Sequence, residues 1–108
     1  MTSRIDAVMR TRGPAWNDAA PMEAQVDWRA HADFMNALAD HGVVLPGGPL
    51  AGTRDVLMVL QASDEAAIEA RLAQDCWSAK GLLQTLWIRP WGLRLGSLGA
   101  SAEPRASP

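Results

Sequence analysis

The sequence predicts a small α+β protein in which two helices cover one face of an antiparallel sheet. Its 108 residues fall within the usual length of a single domain. Hydrophobic residues make up 48% of the chain and charged residues 20%, as in ordinary globular proteins. Segments with the periodicity of strands and of helices alternate along it. We interpret residues 1–96 as the folded domain and residues 97–108, rich in Ser, Ala, Gly and Pro, as a disordered tail.

The first half of the chain is predicted to form a strand, a long helix and a second strand. Residues 5–12 mix apolar and charged side chains as a strand does, and Gly13 follows. A helix is expected over residues 22–41, because Pro21 stands where helices begin and Gly42 where they stop. Its apolar face carries Trp28, His31, Phe34, Met35 and Leu38 at helical spacing. Residues 43–45 form a short strand, and residues 46–49 a bend at its end.

The second half repeats the order of strand and helix. A turn at residues 51–53 leads into an apolar strand over residues 55–62. Ser63 is expected to cap a second helix that runs to about Gln74. The remaining predictions are an irregular link at residues 75–81, a strand over residues 82–88 and a last short strand carrying Trp91, Leu93 and Leu95.

Together these elements follow the order strand, helix, strand, strand, helix, strand. That order is the split βαβ, or ferredoxin-like, pattern, and it places both helices on the same face of the sheet. The other face still carries Val, Leu, Met and Trp side chains, and a single chain of 108 residues has no third layer to cover them. The sequence therefore predicts a homodimer that packs sheet against sheet.

Composition and charge argue against several classes of function. The net charge of −2 leaves no basic patch of the kind that binds nucleic acid. No apolar run approaches the ~18 residues of a membrane span, and the N-terminus lacks the apolar segment of a signal peptide. The single cysteine, Cys76, excludes an internal disulfide and fits a reducing compartment. We therefore expect a cytoplasmic protein without nucleic-acid or membrane partners.

Two residues stand out as candidates for chemistry. His31 lies on the apolar face of the first helix, where burial of an imidazole is unfavourable unless a partner compensates. Taken alone, a histidine at such a position is more often an ordinary hydrogen-bonded core residue. Asp75 follows the second helix, where a carboxylate opposes the helix dipole, unless it caps the turn over residues 76–80. If the two side chains meet, Asp75 fixes the tautomer of His31, which then becomes a base for proton abstraction.

Seven short segments carry a resemblance to a known family: residues 13–16 (GPAW), 22–25 (MEAQ), 28–35 (WRAHADFM), 47–50 (GGPL), 75–77 (DCW), 81–83 (GLL) and 90–91 (PW). In this order they resemble the YCII-related (YciI-like) proteins over about residues 5–96. The resemblance implies the dimeric ferredoxin-like α+β barrel fold and a His–Asp pair at His31 and Asp75. It also implies acid/base chemistry of the isomerase, lyase or dehydrochlorinase type on a small cyclic or carbonyl substrate. One departure is Cys76, which stands where many relatives have proline.

Three further residues are expected to bind the substrate. Arg12, near the end of the first strand, can hold an anionic group by a bidentate contact, although it also fits an ordinary solvated arginine. Trp16 and Trp77 can line the pocket, or simply pack in the core. Cys76 is expected to be a small, inert buried hydrophobe, with a nucleophile as the alternative.

No metal and no cofactor are expected. His31 and His41 lie about 80° out of phase on the predicted helix, so they cannot bind the same metal ion. The segment at residues 47–49 lacks the lysine of a phosphate-binding loop. The sequence thus predicts a small-molecule acid/base enzyme, and the alternative is a non-catalytic ligand-binding or dimerisation module.

Overall fold

The computed structural model describes residues 3–96, which form a four-stranded antiparallel sheet and three helices. The strands are β1 (Arg4–Arg12), β2 (Val44–Pro49), β3 (Asp55–Ala62) and β4 (Leu83–Pro90). The helices are α1 (Trp28–Asp40), α2 (Glu65–Ala73) and the short α3 (Cys76–Ala79), and a 3₁₀ turn (Met22–Ala24) precedes α1. The strand order β2-β3-β1-β4 confirms the predicted ferredoxin-like fold. The predicted tail, residues 97–108, lies outside the described residues.

The central strand β1 separates two faces of the sheet. Side chains of Asp6, Val8 and Arg10 are buried on one face, and those of Ile5, Ala7 and Met9 lie half-buried on the other. Val8 pairs with Met58 of β3 and with Ile88 of β4, so one row of core residues crosses the sheet. A register shift in the β1–β4 pair follows Met9.

The core lies between the helices and this row. Leu38 of α1 and Ile68 and Leu72 of α2 pack on the same buried cluster as Val8 and Leu60. The predicted apolar faces of both helices are therefore confirmed. A second cluster joins the loop after β1 to α3 and the start of β4, and consists of Trp16, Trp77, Leu82 and Leu83.

The first helix begins at Trp28, so the predicted start at residue 22 is wrong. Asp27 adopts a left-handed conformation (φ 60°), which interrupts the helical path. The buried amide of Gln25 holds the preceding segment, because its Nε2 donates to the carbonyl oxygens of Asn17 (2.8 Å) and Ala20 (3.0 Å). Its Oε1 accepts the N–H of Asn17 (2.9 Å). These contacts with the loop after β1 replace those of a first helical turn.

Capping of the later helices differs from the sequence prediction at one position and agrees with one of its alternatives at the other. Asp64, rather than Ser63, caps α2, since its carboxylate accepts the N–H of Ala67 (2.8 Å). The predicted irregular link contains α3, which Asp75 caps by accepting the N–H of Trp77 (3.3 Å). In both places a carboxylate reaches the free N–H groups of a helix start.

The predicted bend after residue 45 is instead part of β2, which continues to Pro49. A bulge between Val44 and Gly47 lets the strand resume its pairing with β3. Gly47 lies against Met58, whose Cγ would be 2.9 Å from any Cβ at this position. The strand thus needs glycine there, and the sequence signal of a bend has a packing cause.

The last predicted strand, carrying Trp91, Leu93 and Leu95, does not form. β4 runs from Leu83 to Pro90, two residues beyond the predicted end, and the N–H of Trp91 donates to the carbonyl oxygen of Ile5 (2.9 Å). Because β1 begins at Arg4, the chain after Trp91 has no neighbouring strand to pair with. All three side chains are exposed.

The second face of the sheet carries no helix within residues 3–96. It presents apolar side chains of the three longest strands: Ile5, Ala7, Met9, Leu57, Val59 and Trp87. A shallow groove of about 370 Å³ crosses it between Met9, Leu57 and Trp87. Within the same described range, none of the helices has the length and apolarity to cross a membrane.

Candidate functional site

His31 of α1 and Asp75, the residue before α3, meet inside the protein. The imidazole Nδ1 lies 2.8 Å from Oδ2 and 3.0 Å from Oδ1 of the carboxylate. Both residues are buried, with exposed fractions of 8% for His31 and 0% for Asp75. Because a carboxylate only accepts hydrogen bonds, Nδ1–H is the donor, and Nε2 is the remaining ring nitrogen.

Trp77 fixes the plane of the His31 ring. The two rings are stacked with centroids 3.8 Å apart and an interplanar angle of 9°. Trp77 is itself anchored, since its Nε1–H donates to the carbonyl oxygen of Val26 (2.6 Å) and Trp16 packs against it edge to face at 5.3 Å. Stacking on Trp77 and bonding to Asp75 together leave the imidazole little freedom to rotate.

A cavity of about 460 Å³ lies beside this pair, between α1 and the helix-covered face of the sheet. Its walls are largely apolar: Trp16, Met22, Trp28, Met35, Val44, Val56, Met58, Trp77 and Leu83. The polar side chains along it are Arg10, Arg12, Arg29, His31 and Asn36. Asp75 lies behind His31, and no carboxylate from the described part of the chain lines the cavity. Its size suits a small ring compound, and its charge suits an anion.

Arg12 and Trp16 stand together at this cavity, as the sequence predicts for substrate-binding residues. The guanidinium of Arg12 lies 4.3 Å from the centroid of the Trp16 ring. Among residues 3–96 the Arg12 guanidinium forms no ion pair and donates no hydrogen bond. Arg29 lines the cavity too, but its side chain is mostly exposed and pairs with Asp33 (3.7 Å).

Arg10 belongs to this arrangement, although it is not among the residues predicted from the sequence. Its side chain is 2% exposed, and its Nη1 lies 3.6 Å from Oδ2 of Asp75. Its Nη2 donates to Oγ of Ser78, which in turn donates to the carbonyl oxygen of Leu72 (2.7 Å). Burial lowers the pKa of Arg10, while the charge of Asp75 opposes this change. Strand alternation was the available signal, because Arg10 lies in phase with the buried Val8.

The other candidates for chemistry, His41 and Cys76, do not line the cavity. His41 is exposed at the end of α1. Cys76 is half-buried, with its Sγ 3.9 Å from the carbonyl oxygen of Asp27. Burial raises the pKa of the Cys76 thiol, and the carboxylates of Asp75 and Asp27 raise it further. Within residues 3–96 no cluster of three His, Cys, Asp or Glu side chains is placed to hold a metal ion.

Comparison with known proteins identifies a similar fold. No protein-family model and no curated protein matches the chain, so membership of the YCII-related family stays a prediction. Among solved structures, it is similar to a 5-chloro-2-hydroxyhydroquinone dehydrochlorinase from Burkholderia phenoliruptrix in complex with 2,5-dihydroxybenzoquinone. The TM-score is 0.57 at 16% sequence identity, over 81% of this chain and 93% of that one. This similarity shows a shared α+β fold.

Proposed function

We propose that this protein is a small-molecule enzyme in which His31 is a general acid/base and Asp75 orients it. The observation that carries the proposal is the buried bond from Nδ1 of His31 to Asp75 (2.8 Å) at the wall of a cavity of about 460 Å³. That bond occupies one ring nitrogen and leaves Nε2 for a substrate. Isomerisation and elimination, including dehydrochlorination, are among the reaction classes that need such a group.

The chemistry follows from the tautomer of His31. With Nδ1–H bonded to Asp75, the lone pair of Nε2 accepts a proton from a C–H or O–H acid of the substrate. The imidazolium formed in this way is stabilised by the adjacent carboxylate. In an isomerisation Nε2 returns the proton to a different atom. In an elimination the electron pair left on the substrate forms a double bond, and the leaving group departs with its own bonding pair.

The cavity supports a small, cyclic and anionic substrate. Arg12 provides a cation without an ionic partner among the described residues, and a guanidinium can bind an oxyanion through two parallel N–H groups. Trp16 and Trp28 offer flat apolar surfaces to a ring. The dehydrochlorinase of similar fold was solved with a quinone bound, which agrees with such a ligand.

A substitution at His31 tests the acid/base role directly. His31→Gln should lower turnover by about a hundredfold or more, since glutamine cannot take up the proton. The assay is chloride release from 5-chloro-2-hydroxyhydroquinone, followed by a wider set of halogenated and hydroxylated ring compounds. The control is His41→Gln, which removes the exposed histidine and should leave the rate unchanged. Thermal unfolding of each variant separates lost chemistry from lost fold. An unchanged rate in His31→Gln on a substrate that the wild type converts would refute the proposal.

The second candidate function is a non-catalytic module that binds a small ligand or only dimerises. The buried contact between Arg10 and Asp75 favours this second candidate, because such a contact also ties β1 to α3 as an internal polar bridge. A module of this kind would bind 2,5-dihydroxybenzoquinone in a calorimetric titration without converting any compound of the set.

The protein is further proposed to act as a homodimer. The apolar face without a helix, described above, supports this proposal. The cavity and His31 lie on the opposite face of the sheet, so dimerisation leaves the site accessible.

A further inference from the structure

We propose that Arg10 is a positioning residue that keeps His31 uncharged, by serving as the permanent counter-ion of Asp75. The inference rests on the proposed acid/base function, for which His31 must be free to accept a proton. Among the described residues Arg10 forms no hydrogen bond with the imidazole, and its burial keeps its Nε and Nη1 from a ligand.

The carboxylate of Asp75 lies between two groups that can each carry positive charge. His31 approaches Oδ2 at 2.8 Å through Nδ1, and Arg10 approaches the same oxygen at 3.6 Å through Nη1. The bond from Nη2 to Ser78 and the onward bond to Leu72 fix the guanidinium in this position. Arg10 and His31 therefore compete as partners for one negative charge.

The guanidinium of Arg10 acts from inside the protein. Arg10 lies along the cavity wall, but its Nε and Nη1 are fully buried and have no hydrogen-bond partner in the described part of the chain. A ligand in the cavity could reach these atoms only if the side chain left its place. Arg10 thus influences the reaction through Asp75, whereas Arg12, with a freer guanidinium, remains the candidate for direct ligand binding.

Charge balance assigns the two roles. A buried carboxylate without a cation is strongly unfavourable, so Asp75 needs one positive partner. Arginine stays protonated at any ordinary pH, so Arg10 satisfies this need while His31 is neutral. Without Arg10, the imidazole becomes the only cation available to Asp75 and holds its proton to higher pH. His31 would then rest in the protonated state, which cannot act as a base.

The other charged groups near His31 do not take over this role. Those on neighbouring elements are Arg29 on α1, Arg12 on β1, the ion pair of Asp27 with Lys80, and the thiol of Cys76. The cavity-lining residues of β2, β3 and β4 are uncharged. Among the described residues, Arg10 and His31 are the cationic side chains within ion-pair distance of Asp75.

An NMR titration of His31 in the free protein tests the proposal without a substrate. In Arg10→Gln the midpoint of the His31 titration should rise by about one pH unit or more, because a neighbouring charge shifts such equilibria by roughly 1–3 units. Arg10→Lys retains the charge and should stay close to the wild type. The matched control is Arg12→Gln, which removes a positive charge two residues along the same strand without touching Asp75. A shift in Arg10→Gln no larger than that in Arg12→Gln would overturn the proposal.

A second pair of variants covers the case in which Arg10→Gln does not fold. Asp75→Asn and the double variant Arg10→Gln/Asp75→Asn leave no unpaired buried carboxylate. In Asp75→Asn the His31 midpoint should fall, since Arg10 then acts on the imidazole alone. In the double variant it should rise again towards the wild-type value. Equal midpoints in these two variants would refute the proposal.

The two proposals fail in different ways. If His31→Gln keeps full turnover while the Arg10 variants shift the titration, the charge coupling stands and the acid/base function is wrong. If His31 is essential and the Arg10 variants leave the titration unmoved, only the role of Arg10 is wrong. In the active enzyme, Arg10→Gln should move the acidic limb of the pH–rate profile to higher pH, in parallel with the NMR midpoint.

Discussion

Asp75 makes three contacts at once: it accepts bonds from His31 and from the N–H of Trp77, and lies beside Arg10. The sequence offers two interpretations of this residue, as a helix cap and as the partner of a histidine. Both apply, because a carboxylate has two oxygens and several acceptor positions. Capping α3 fixes the backbone of Asp75, and this in turn aims the carboxylate at His31. The cap of α3 therefore helps to position the carboxylate of Asp75 against His31.

Cys76 follows Asp75 directly, and its thiol is expected to react slowly. Burial and the carboxylates of Asp75 and Asp27 raise the pKa of the thiol, so the reactive thiolate is scarce at neutral pH. Alkylation by iodoacetamide at pH 7 should be slower than that of a cysteine in a short peptide, and should accelerate as the pH rises towards the raised pKa. Mass spectrometry follows the reaction at one defined site, since the chain has a single cysteine.

Asp27→Asn is the matched variant for this experiment. Asparagine tolerates the left-handed conformation of residue 27, so the backbone is retained. Loss of the carboxylate removes a group that raises the pKa of the thiol and leaves the cation of Lys80, which lowers it. Alkylation should therefore be faster in this variant. If wild-type Cys76 reacted faster than the peptide cysteine at pH 7, the thiol would be activated and the nucleophile interpretation would return.

At the scale of residues, the sequence indicates His31 and Asp75 as candidates because each is unusual for its position. A histidine on an apolar helix face and a carboxylate at the end of a helix both call for a partner. Arg10 gave a weaker signal. Polar residues interrupt the alternation of apolar side chains in β1, so the sequence does not show which face is buried. The pairing of Val8 with Met58 and Ile88 identifies that face.

At the scale of elements, one side chain ties together the segment from residue 13 to the start of α1. Gln25 donates to the carbonyl oxygens of Asn17 and Ala20 and accepts the N–H of Asn17. This segment carries Trp16, which lines the cavity and supports Trp77. The amide of Gln25 therefore stabilises the packing around His31 without touching it.

Gln25→Ala should lower the free energy of unfolding by about 1–2 kcal/mol, because it removes the hydrogen bonds of the amide to part-buried backbone groups of this loop. Urea denaturation followed by tryptophan fluorescence measures the change. The control is Glu23→Ala in the preceding 3₁₀ turn, an exposed position at which the expected change is within about 0.5 kcal/mol. Equal stability of the two variants would show that the amide does not hold the loop.

The sequence predicts an element correctly where nearby residues alone determine it, and fails where contacts with distant residues decide. The strand over residues 55–62 is predicted in full, since its apolar run and the flanking turn are both local signals. The start of α1 is missed because glutamine is a good helix former, and only contacts with the loop after β1 withdraw it from the helix. The absent last strand has a comparable cause, since the strand it would pair with begins at Arg4.

At the scale of the whole molecule, the two faces of the sheet have different roles. One face carries α1, α2, the core and the cavity with His31. The other carries Met9, Leu57 and Trp87 without a helix. Within residues 3–96 the helices cover one face of the four-stranded sheet, so the second apolar face needs another layer. The site thus belongs to a single chain, and the interface is proposed on the face that the site does not use.

The proposed homodimer predicts a particle of twice the chain mass of 11.6 kDa in size-exclusion chromatography with light scattering. Leu57→Arg should convert it to a monomer at micromolar concentration, because an arginine opposite Met9 would bury its charge in an apolar interface. The control is Ala70→Arg, which adds the same charge on the exposed side of α2 and should remain dimeric. A wild-type protein that runs as a monomer at this concentration would contradict the interface.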